Sequence, residues 1–179
     1  MKVSSKSLFF RSVSMKDCEF IYRLRSSKGR FLNNTGYTKE VNKNYISEII
    51  KKEHECLEFY FIISNVKEDV GVVRIYQINN EKKTFTWGSW IMLDGISPLY
   101  ALISTVMVYA FAFDFLRLEK SLFEVRNENK KVISFHEKTG AKFLRKDEQD
   151  MFFCFNKLNY QTLRKKYEKY IGSINFKDV

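Results

Sequence analysis

The segment WIMLDGISPLYA, residues 90–101, decides the fold, because it contains the end of a strand and the beginning of a helix. The apolar residues up to Leu93 predict a strand, and Gly95 provides a sharp turn. Ser97 is a good N-cap, and Pro98 suits the first helical position. A helix N-terminus offers unpaired N–H groups that favour an anion such as phosphate, although every strand-to-helix turn has this geometry. The segment matches neither the Rossmann GxGxxG pattern nor the phosphate-binding P-loop.

The next segment, LYALISTVMVYAFAFDFL at residues 99–116, is apolar on nearly all sides and about long enough to cross a bilayer. It contains Ser104, Thr105 and Asp114, and predicted strands flank it closely on both sides. In an α/β pattern such a helix is usually covered by a sheet and neighbouring helices, so a buried helix is predicted. The strand KSLFEVR, residues 120–126, follows it. This strand–helix–strand crossover predicts that its two strands are parallel neighbours.

Short strands and amphipathic helices are predicted on either side of the crossover. Ser14 and Asp17 form a capping box before the first helix, and a second helix is expected over Lys39–His54. Three strands joined by short turns predict an antiparallel meander: EFYFIIS, VGVVRIYQI and TFTWGSWIML. A helix at about 129–139, two extended segments and a polar helix at about 160–171 complete the chain. The predicted order is β-α-α-β-β-β-α-β-α-β-β, an α/β (α+β) fold with a mixed central sheet in one domain, residues 1–179.

Composition excludes several classes of protein. The three cysteines are far apart without a CxxC pair, so neither a disulfide framework nor a metal site is expected. The N-terminal residues lack the apolar core of a signal peptide, so we expect a cytoplasmic protein. The net charge of +10 favours an anionic partner, which leaves nucleic acid, anionic lipid or a phosphorylated small molecule. No RNA-binding motif or zinc knuckle accompanies the charge, so neither nucleic acid nor a membrane is the expected partner.

Four stretches of the chain carry a resemblance to a known family. They are FRSVSMKDCEFIYRLR near the N-terminus, WGSWIM, YAFAFDFLRLEK and EVRNENKKVISFHEKTGAKF. Together they resemble the acetyl-coenzyme A-binding core of the GNAT superfamily of N-acetyltransferases. Within it they look like the branch that includes ribosomal-protein N-terminal and sugar-nucleotide N-acetyltransferases. The resemblance covers residues from about 8 to 158.

The resemblance implies a binding mode for acetyl-coenzyme A. The fourth and fifth strands would splay apart, and the pantetheine arm would pair with the backbone of Ile91, Met92 and Leu93. Asn129 would contact the cofactor near its thiol end. Backbone N–H groups of the following turn would hold the pyrophosphate, namely those of Gly95, Ile96, Ser97, Leu99, Tyr100 and Ala101. The usual loop of the family, Q/R-x-x-G-x-G/A, differs from DGISPLYA, which has one glycine, a proline and an acid.

The resemblance also implies catalytic positions. His136 stands where the family often has a tyrosine acid, and as an imidazolium it would protonate the departing thiolate; the alternative is a buried core histidine. Thr86 occupies the position of the family's glutamate base and cannot act as one. A water-relayed proton path is one substitute. Glu124 is another, unless it pairs with Arg74 or Arg126.

The expected acceptor is a primary amine on a small molecule. Arg30 and Arg74 would bind a phosphate or carboxylate through their two-pronged guanidinium groups, and Trp87 would lie in an aromatic cleft beside them. Such a cleft favours a nucleotide-linked amino sugar, with the N-terminal amine of a ribosomal or other protein as the alternative. A non-catalytic coenzyme A-binding or nucleic acid-binding module is the alternative from another class. A homodimer and a monomer both remain open.

Overall fold

One mixed sheet runs through the computed structural model, which describes residues 1–28 and 36–177. Within these residues it has nine strands in the order β7-β8-β6-β5-β4-β3-β2-β1-β9. Only β5 and β6 are parallel among the described strand pairs. The strands are β1 Lys2–Ser4, β2 Phe9–Ser12, β3 Phe59–Ser64, β4 Asp69–Asn79, β5 Thr84–Met92, β6 Lys120–Arg126, β7 Lys142–Lys146, β8 Asp150–Asn156 and β9 Asn175–Lys177.

Helices cover both faces of this sheet. They are α1 Cys18–Ser27, α2 Lys39–His54, α3 Pro98–Ala110, α4 Lys130–Thr139 and α5 Lys157–Ile171. One core joins α1 and α2 to β3, β4 and β5. A second core, on the opposite face, joins α3, α4 and α5 to β5, β6 and β8. The alternation of side chains along each strand therefore divides the sheet into an α1–α2 face and an α3–α4–α5 face.

The apolar segment after β5 is a buried helix, as predicted. Ser97 caps α3 by accepting a hydrogen bond from the N–H of Leu99, and a π-helical turn at Phe111–Phe115 continues the helix. Residues Pro98–Phe115 are long and apolar enough to span a bilayer, but 61% of them are buried inside the fold. Phe111 packs edge-on against Phe59 and Phe61 of β3. The sheet and neighbouring elements therefore account for the apolar surface of this helix.

The predicted mixed sheet, the meander and the crossover are confirmed. The second helix occupies Lys39–His54, and the capping box of Ser14 and Asp17 is present. Two differences are the short strands β1 and β9, which extend the sheet beyond β2, and a final helix that begins at Lys157 instead of about residue 160. The inner face of that helix is buried through Tyr160, Leu163 and Ile171, so the helix contributes to the second core.

The parallel pair β5–β6 opens after two residue pairs. Thr84 pairs with Lys120 and Phe85 with Ser121, and the described pairing stops there. A β-bulge on β5 lies just beyond, because Gly88 pairs with Arg74 whereas Ile91 pairs with Val72. Ser89, inside this bulge, has a φ of 46°. The fourth and fifth strands of the predicted order correspond to β5 and β6, so the predicted splay between them is present. We call the space between their two diverging ends the gap.

Candidate active site

The edge of β5 that faces the gap carries free backbone groups. The N–H of Leu93 donates to the carbonyl of Val70 on β4 over 2.8 Å. Because successive N–H groups of a strand point in opposite directions, the N–H of Ile91 also faces β4 and that of Met92 faces the gap. Of the three residues predicted to pair with pantetheine, Met92 is therefore the one placed to do so. An extended amide chain in the gap would restore the missing strand pairing.

Free N–H groups also lie in the turn between β5 and α3. Gly95 has a φ of +77°, and no atom of the described residues beyond its chain neighbours lies within 4 Å of the position that a Cβ would take. Ser97 uses its side chain and carbonyl to bind the N–H groups of Leu99 (3.3 Å) and Tyr100 (2.9 Å). Within the described residues, the N–H groups of Gly95, Ile96 and Ser97 donate to no other group. They are therefore the donors suited to a pyrophosphate, whereas those of Leu99 and Tyr100 are already engaged.

The acidic residue of this turn, Asp94, forms an ion pair with Lys28 at the end of α1. The Asp94 side chain is 91% exposed, so the pair contributes little to stability. Its effect is electrostatic, because Lys28 offsets the negative charge that Asp94 would otherwise present to an anion beside α3. The unusual acid in the turn is thus compatible with the binding of a pyrophosphate.

His136 lies in the core behind the gap, on the α3–α4–α5 face. Its ring packs against Trp87 on β5, with centroids 5.4 Å apart, and against Phe123 on β6, at 4.5 Å. The residue is 4% exposed, and this burial lowers the pKa of its imidazole from 6.5 to about 4. Nδ1 is buried without a hydrogen-bond partner among the described residues. The imidazole is therefore neutral at pH 7, and the imidazolium expected from the sequence is not the form that prevails there.

Asn129 begins the helix that carries His136. Its side-chain oxygen accepts a hydrogen bond of 3.4 Å from the N–H of Val132, which makes it the N-cap of α4. The side-chain NH₂ has no partner among the described residues. The buried face of α4 is formed by Ile133, His136 and Thr139. Capping by Asn129 therefore fixes the start of the helix and, with it, the position of the imidazole.

Arg74 lies on the α1–α2 face and is already paired. Its Nε forms an ion pair with the buried Glu58, and a terminal nitrogen donates to the Tyr45 hydroxyl over 2.5 Å. The guanidinium also lies 4.2 Å from the ring centroid of Tyr76. The two-pronged contact with a substrate phosphate that the sequence predicted is therefore not available to Arg74, because two of its three nitrogens are engaged.

Glu124 is an exposed carboxylate that forms no ion pair with a described residue. Its side chain lies on the α1–α2 face of β6. Arg74 pairs with Glu58 instead, and Arg126 pairs with Asp150 at 3.1 Å. The pairing alternatives raised by the sequence are therefore wrong, and Glu124 is available to a ligand.

Trp87 is another predicted acceptor residue, and the structure places it elsewhere. Trp87 is 4% exposed and lies on the α3–α4–α5 face, where its indole N–H donates to the Tyr109 hydroxyl over 3.1 Å. It is thus a core residue behind the gap and not part of an acceptor cleft with Arg74. Arg30 lies outside the described residues. No group of three metal-binding side chains occurs in the parts of the chain that are described.

Other polar and aromatic side chains on the α1–α2 face were missed by sequence reasoning. Arg25 of α1 donates to Ser89 of the bulge over 3.5 Å and lies 5.0 Å from the ring centroid of Tyr37. The hydroxyl of Tyr45 on α2 accepts a hydrogen bond from Arg74. The available signal was the two-residue spacing of Arg74 and Tyr76, which places both on one face of β4.

Comparisons with known proteins agree with this geometry. The family model described as an acetyltransferase (GNAT) domain matches residues 7–142. The solved structure described as apo FdhC, a nucleotide-linked sugar GNAT, superposes with a TM-score of 0.88 at 30% identity, covering 96% of this chain and 99% of that chain. No curated protein matches the sequence significantly.

Two more distant structures share the fold. A GCN5-related N-acetyltransferase from Brucella melitensis has a TM-score of 0.79 at 13% identity, covering 95% of this chain and 85% of that chain. A mutant of the SpeG spermidine N-acetyltransferase from Vibrio cholerae has a TM-score of 0.72 at 17% identity, covering 86% of this chain and 96% of that chain. At these identities the likeness concerns the fold alone.

Proposed function

The chain belongs to the GNAT family of N-acetyltransferases, and we propose that it transfers the acetyl group of acetyl-coenzyme A to the amino group of a nucleotide-linked amino sugar. The family uses acetyl-coenzyme A as its co-substrate. The observation that carries its use here is the interrupted pairing of β5 and β6, which leaves a strand edge free inside the sheet. The amino sugar is supported by the likeness to FdhC, which is described as a nucleotide-linked sugar GNAT.

The α1–α2 face has the chemistry that such an acceptor requires. Tyr37 and Tyr22 stack with ring centroids 5.7 Å apart, and Arg25 lies over Tyr37. Tyr45 and Arg74 continue this surface towards β4. Aromatic rings suit a nucleobase or sugar, and the guanidinium of Arg25 suits a diphosphate, whereas that of Arg74 is engaged by Glu58 and Tyr45. The net charge of +10 would further attract an anionic acceptor.

In this proposal each side of the gap has a separate task. Bound acetyl-coenzyme A supplies an activated acyl group and a thiolate leaving group. The N–H of Met92 pairs with the pantetheine arm, and the N–H groups of Gly95, Ile96 and Ser97 hold the pyrophosphate. Neutral His136, fixed by Trp87 and Phe123, donates a hydrogen bond into the gap. On the opposite face, Glu124, which forms no ion pair with a described residue, can accept a proton.

A melting experiment followed by an acceptor panel tests the proposal. Acetyl-coenzyme A should raise the melting temperature, because a ligand that binds the native state stabilises it. Thiol release should then be measured with a nucleotide-linked amino sugar, the free amino sugar, spermidine and a peptide with a free N-terminus. We expect turnover with the nucleotide-linked sugar. Turnover of the peptide alone would favour a protein N-terminal acetyltransferase, and an unmoved melting curve would contradict the use of acetyl-coenzyme A.

A further inference from the structure

A notch on the α1–α2 face of the sheet lies at Gly88. The pairs Thr84–Lys120 and Phe85–Ser121 set the register of β5 and β6, and continuing that register places Gly88 level with Glu124. Side chains alternate between faces, so Gly88 and Glu124 share the face that Thr84 and Lys120 occupy. Gly88 therefore leaves an empty side-chain position on β5 at the level of Glu124 on β6, across the opening between the two strands.

The far side of this notch is formed by Tyr76. A Cβ added to Gly88 would lie 3.2 Å from the Tyr76 hydroxyl oxygen and 3.6 Å from its ring, so the hydroxyl lies directly over the glycine. Arg74, which pairs with Gly88 across β4 and β5, holds the ring from its other side at 4.2 Å. Burial raises the pKa of Tyr76, and the nearby charge of Glu124 raises it further. Tyr76 thus remains a neutral hydroxyl that faces a carboxylate across the notch.

These groups match the needs of an acceptor amine. An ammonium group pairs with a carboxylate, and a tyrosine hydroxyl can accept one of its remaining N–H bonds. The notch also adjoins the Ser89 bulge, where β5 turns its backbone at the mouth of the gap. An amine bound there would lie beside the open end of the β5–β6 pairing, where the acyl group would be held.

We propose that the amino group of the acceptor binds in the notch above Gly88, between the Tyr76 hydroxyl and the Glu124 carboxylate, and that Glu124 takes its proton. This inference rests on the proposed acetyl transfer. The ammonium gives one proton to Glu124, and the freed nitrogen forms a bond with the acyl carbon. The bond from that carbon to sulfur breaks, and the second proton lost from nitrogen ends on the departing thiolate. Tyr76 contacts the nitrogen and orients its lone pair.

The substitution Gly88→Ala tests the notch directly. The added methyl group would fill the notch and meet the Tyr76 hydroxyl at 3.2 Å and its ring at 3.6 Å, a contact that a shift of a few tenths of an ångström relieves, so the fold should persist. We expect the kcat/KM for the acceptor to fall at least about 30-fold, while calorimetric binding of acetyl-coenzyme A stays within about 2-fold of wild type. Calorimetric binding of the acceptor itself should weaken by about 10-fold or more. Unchanged acceptor binding and kcat/KM would overturn the proposal.

The substitution Glu124→Gln tests the proton transfer. At neutral pH the kcat should fall by about 10²-fold or more, and part of it should return at higher pH, where the acceptor arrives as a neutral amine. Glu119→Gln is the matched control, because Glu119 is an exposed acid before β6, at the end remote from the gap. Equal pH profiles for Glu124→Gln and wild type would remove Glu124 from this role.

The outcomes separate this inference from the proposed function. The same variants should be assayed with whichever amine the wild-type protein acetylates. If that amine is not a nucleotide-linked sugar but Gly88→Ala still prevents its acetylation, the notch is supported as the amine site and the proposed acceptor is wrong. If wild type and Gly88→Ala acetylate the nucleotide-linked sugar equally well, the proposed acceptor is supported and the notch is not the amine site. Tyr76→Phe should lower the kcat/KM by about 10-fold and leave the melting temperature nearly unchanged.

Discussion

Burial of His136 makes the stability of the protein depend on pH. Its pKa is lowered from 6.5 to about 4 by desolvation, so below pH 6.5 the unfolded chain binds a proton that the folded protein does not. As far as this residue is concerned, the free energy of unfolding has its full value above pH 6.5 and decreases as the pH falls from 6.5 towards 4. From these two pKa values, lowering the pH from 7.5 to 5.0 should cost about 2 kcal/mol of unfolding free energy through this residue.

The substitution His136→Phe isolates this contribution. Phenylalanine fits an aromatic site beside Trp87 and Phe123 and cannot be protonated, so the variant should lack the histidine part of the pH dependence. Urea unfolding of both proteins at pH 7.5 and 5.0 gives the two changes in free energy, and carboxylate titration is common to both. The wild-type protein should lose about 2 kcal/mol more than the variant. Equal losses would refute the burial of a neutral imidazole.

Three other changes test separate parts of the structure. Gly71→Ala places a Cβ 2.5 Å from the carbonyl oxygen of Ile91 and should lower the unfolding free energy by about 1–3 kcal/mol and weaken acetyl-coenzyme A binding, whereas Gly88→Ala should keep wild-type stability. If Gly71→Ala and Gly88→Ala have the same melting temperature, β4 and β5 do not approach each other as closely at Gly71 as the structure shows. Burial would raise the pKa of Asp17, but hydrogen bonds from Arg11 and Ser14 lower it overall, so Asp17→Asn should cost about 2 kcal/mol at pH 7. When unfolding is measured at decreasing pH, the stability difference between wild type and Asp17→Asn should become smaller below pH 3.8. A difference that stays constant with pH would contradict the ion pair. At pH 7, His136→Phe should also lower the kcat by about 10-fold or more, since a hydrogen-bond donor is lost from the gap; a wild-type kcat would leave His136 with a packing role only.

The elements of the fold were predictable because their signals are local. Ser97 and Pro98 mark the start of α3, and the apolar run that follows identifies a buried helix. Strands β1 and β9 were not predicted, since three residues are too few to show a two-residue alternation. Their pairing with β2 and with each other is decided by tertiary contacts that no short window of sequence contains.

The candidate site was less predictable because it depends on a bulge and on distant partners. The bulge at Ser89 inserts an extra residue into β5, so Trp87 and Trp90 both reach the α3–α4–α5 face, where simple alternation would separate them. Arg74 is neutralised by Glu58, sixteen positions earlier in the chain, which no motif indicates. The sequence predicted that Asn129 begins the helix that contains His136, and the structure shows this, whereas the protonation state of His136 follows only from its burial.

The activity proposed for this protein is acetyl transfer to a nucleotide-linked amino sugar. Its most direct test is thiol release from acetyl-coenzyme A, measured as kcat/KM for one amino sugar with and without its nucleotide diphosphate. If the Tyr- and Arg-lined α1–α2 face binds the nucleotide, the linked sugar should be preferred by at least about 10²-fold, and added salt should reduce the preference by screening the charges. Equal kcat/KM values for the two sugars, or turnover of neither, would contradict the account.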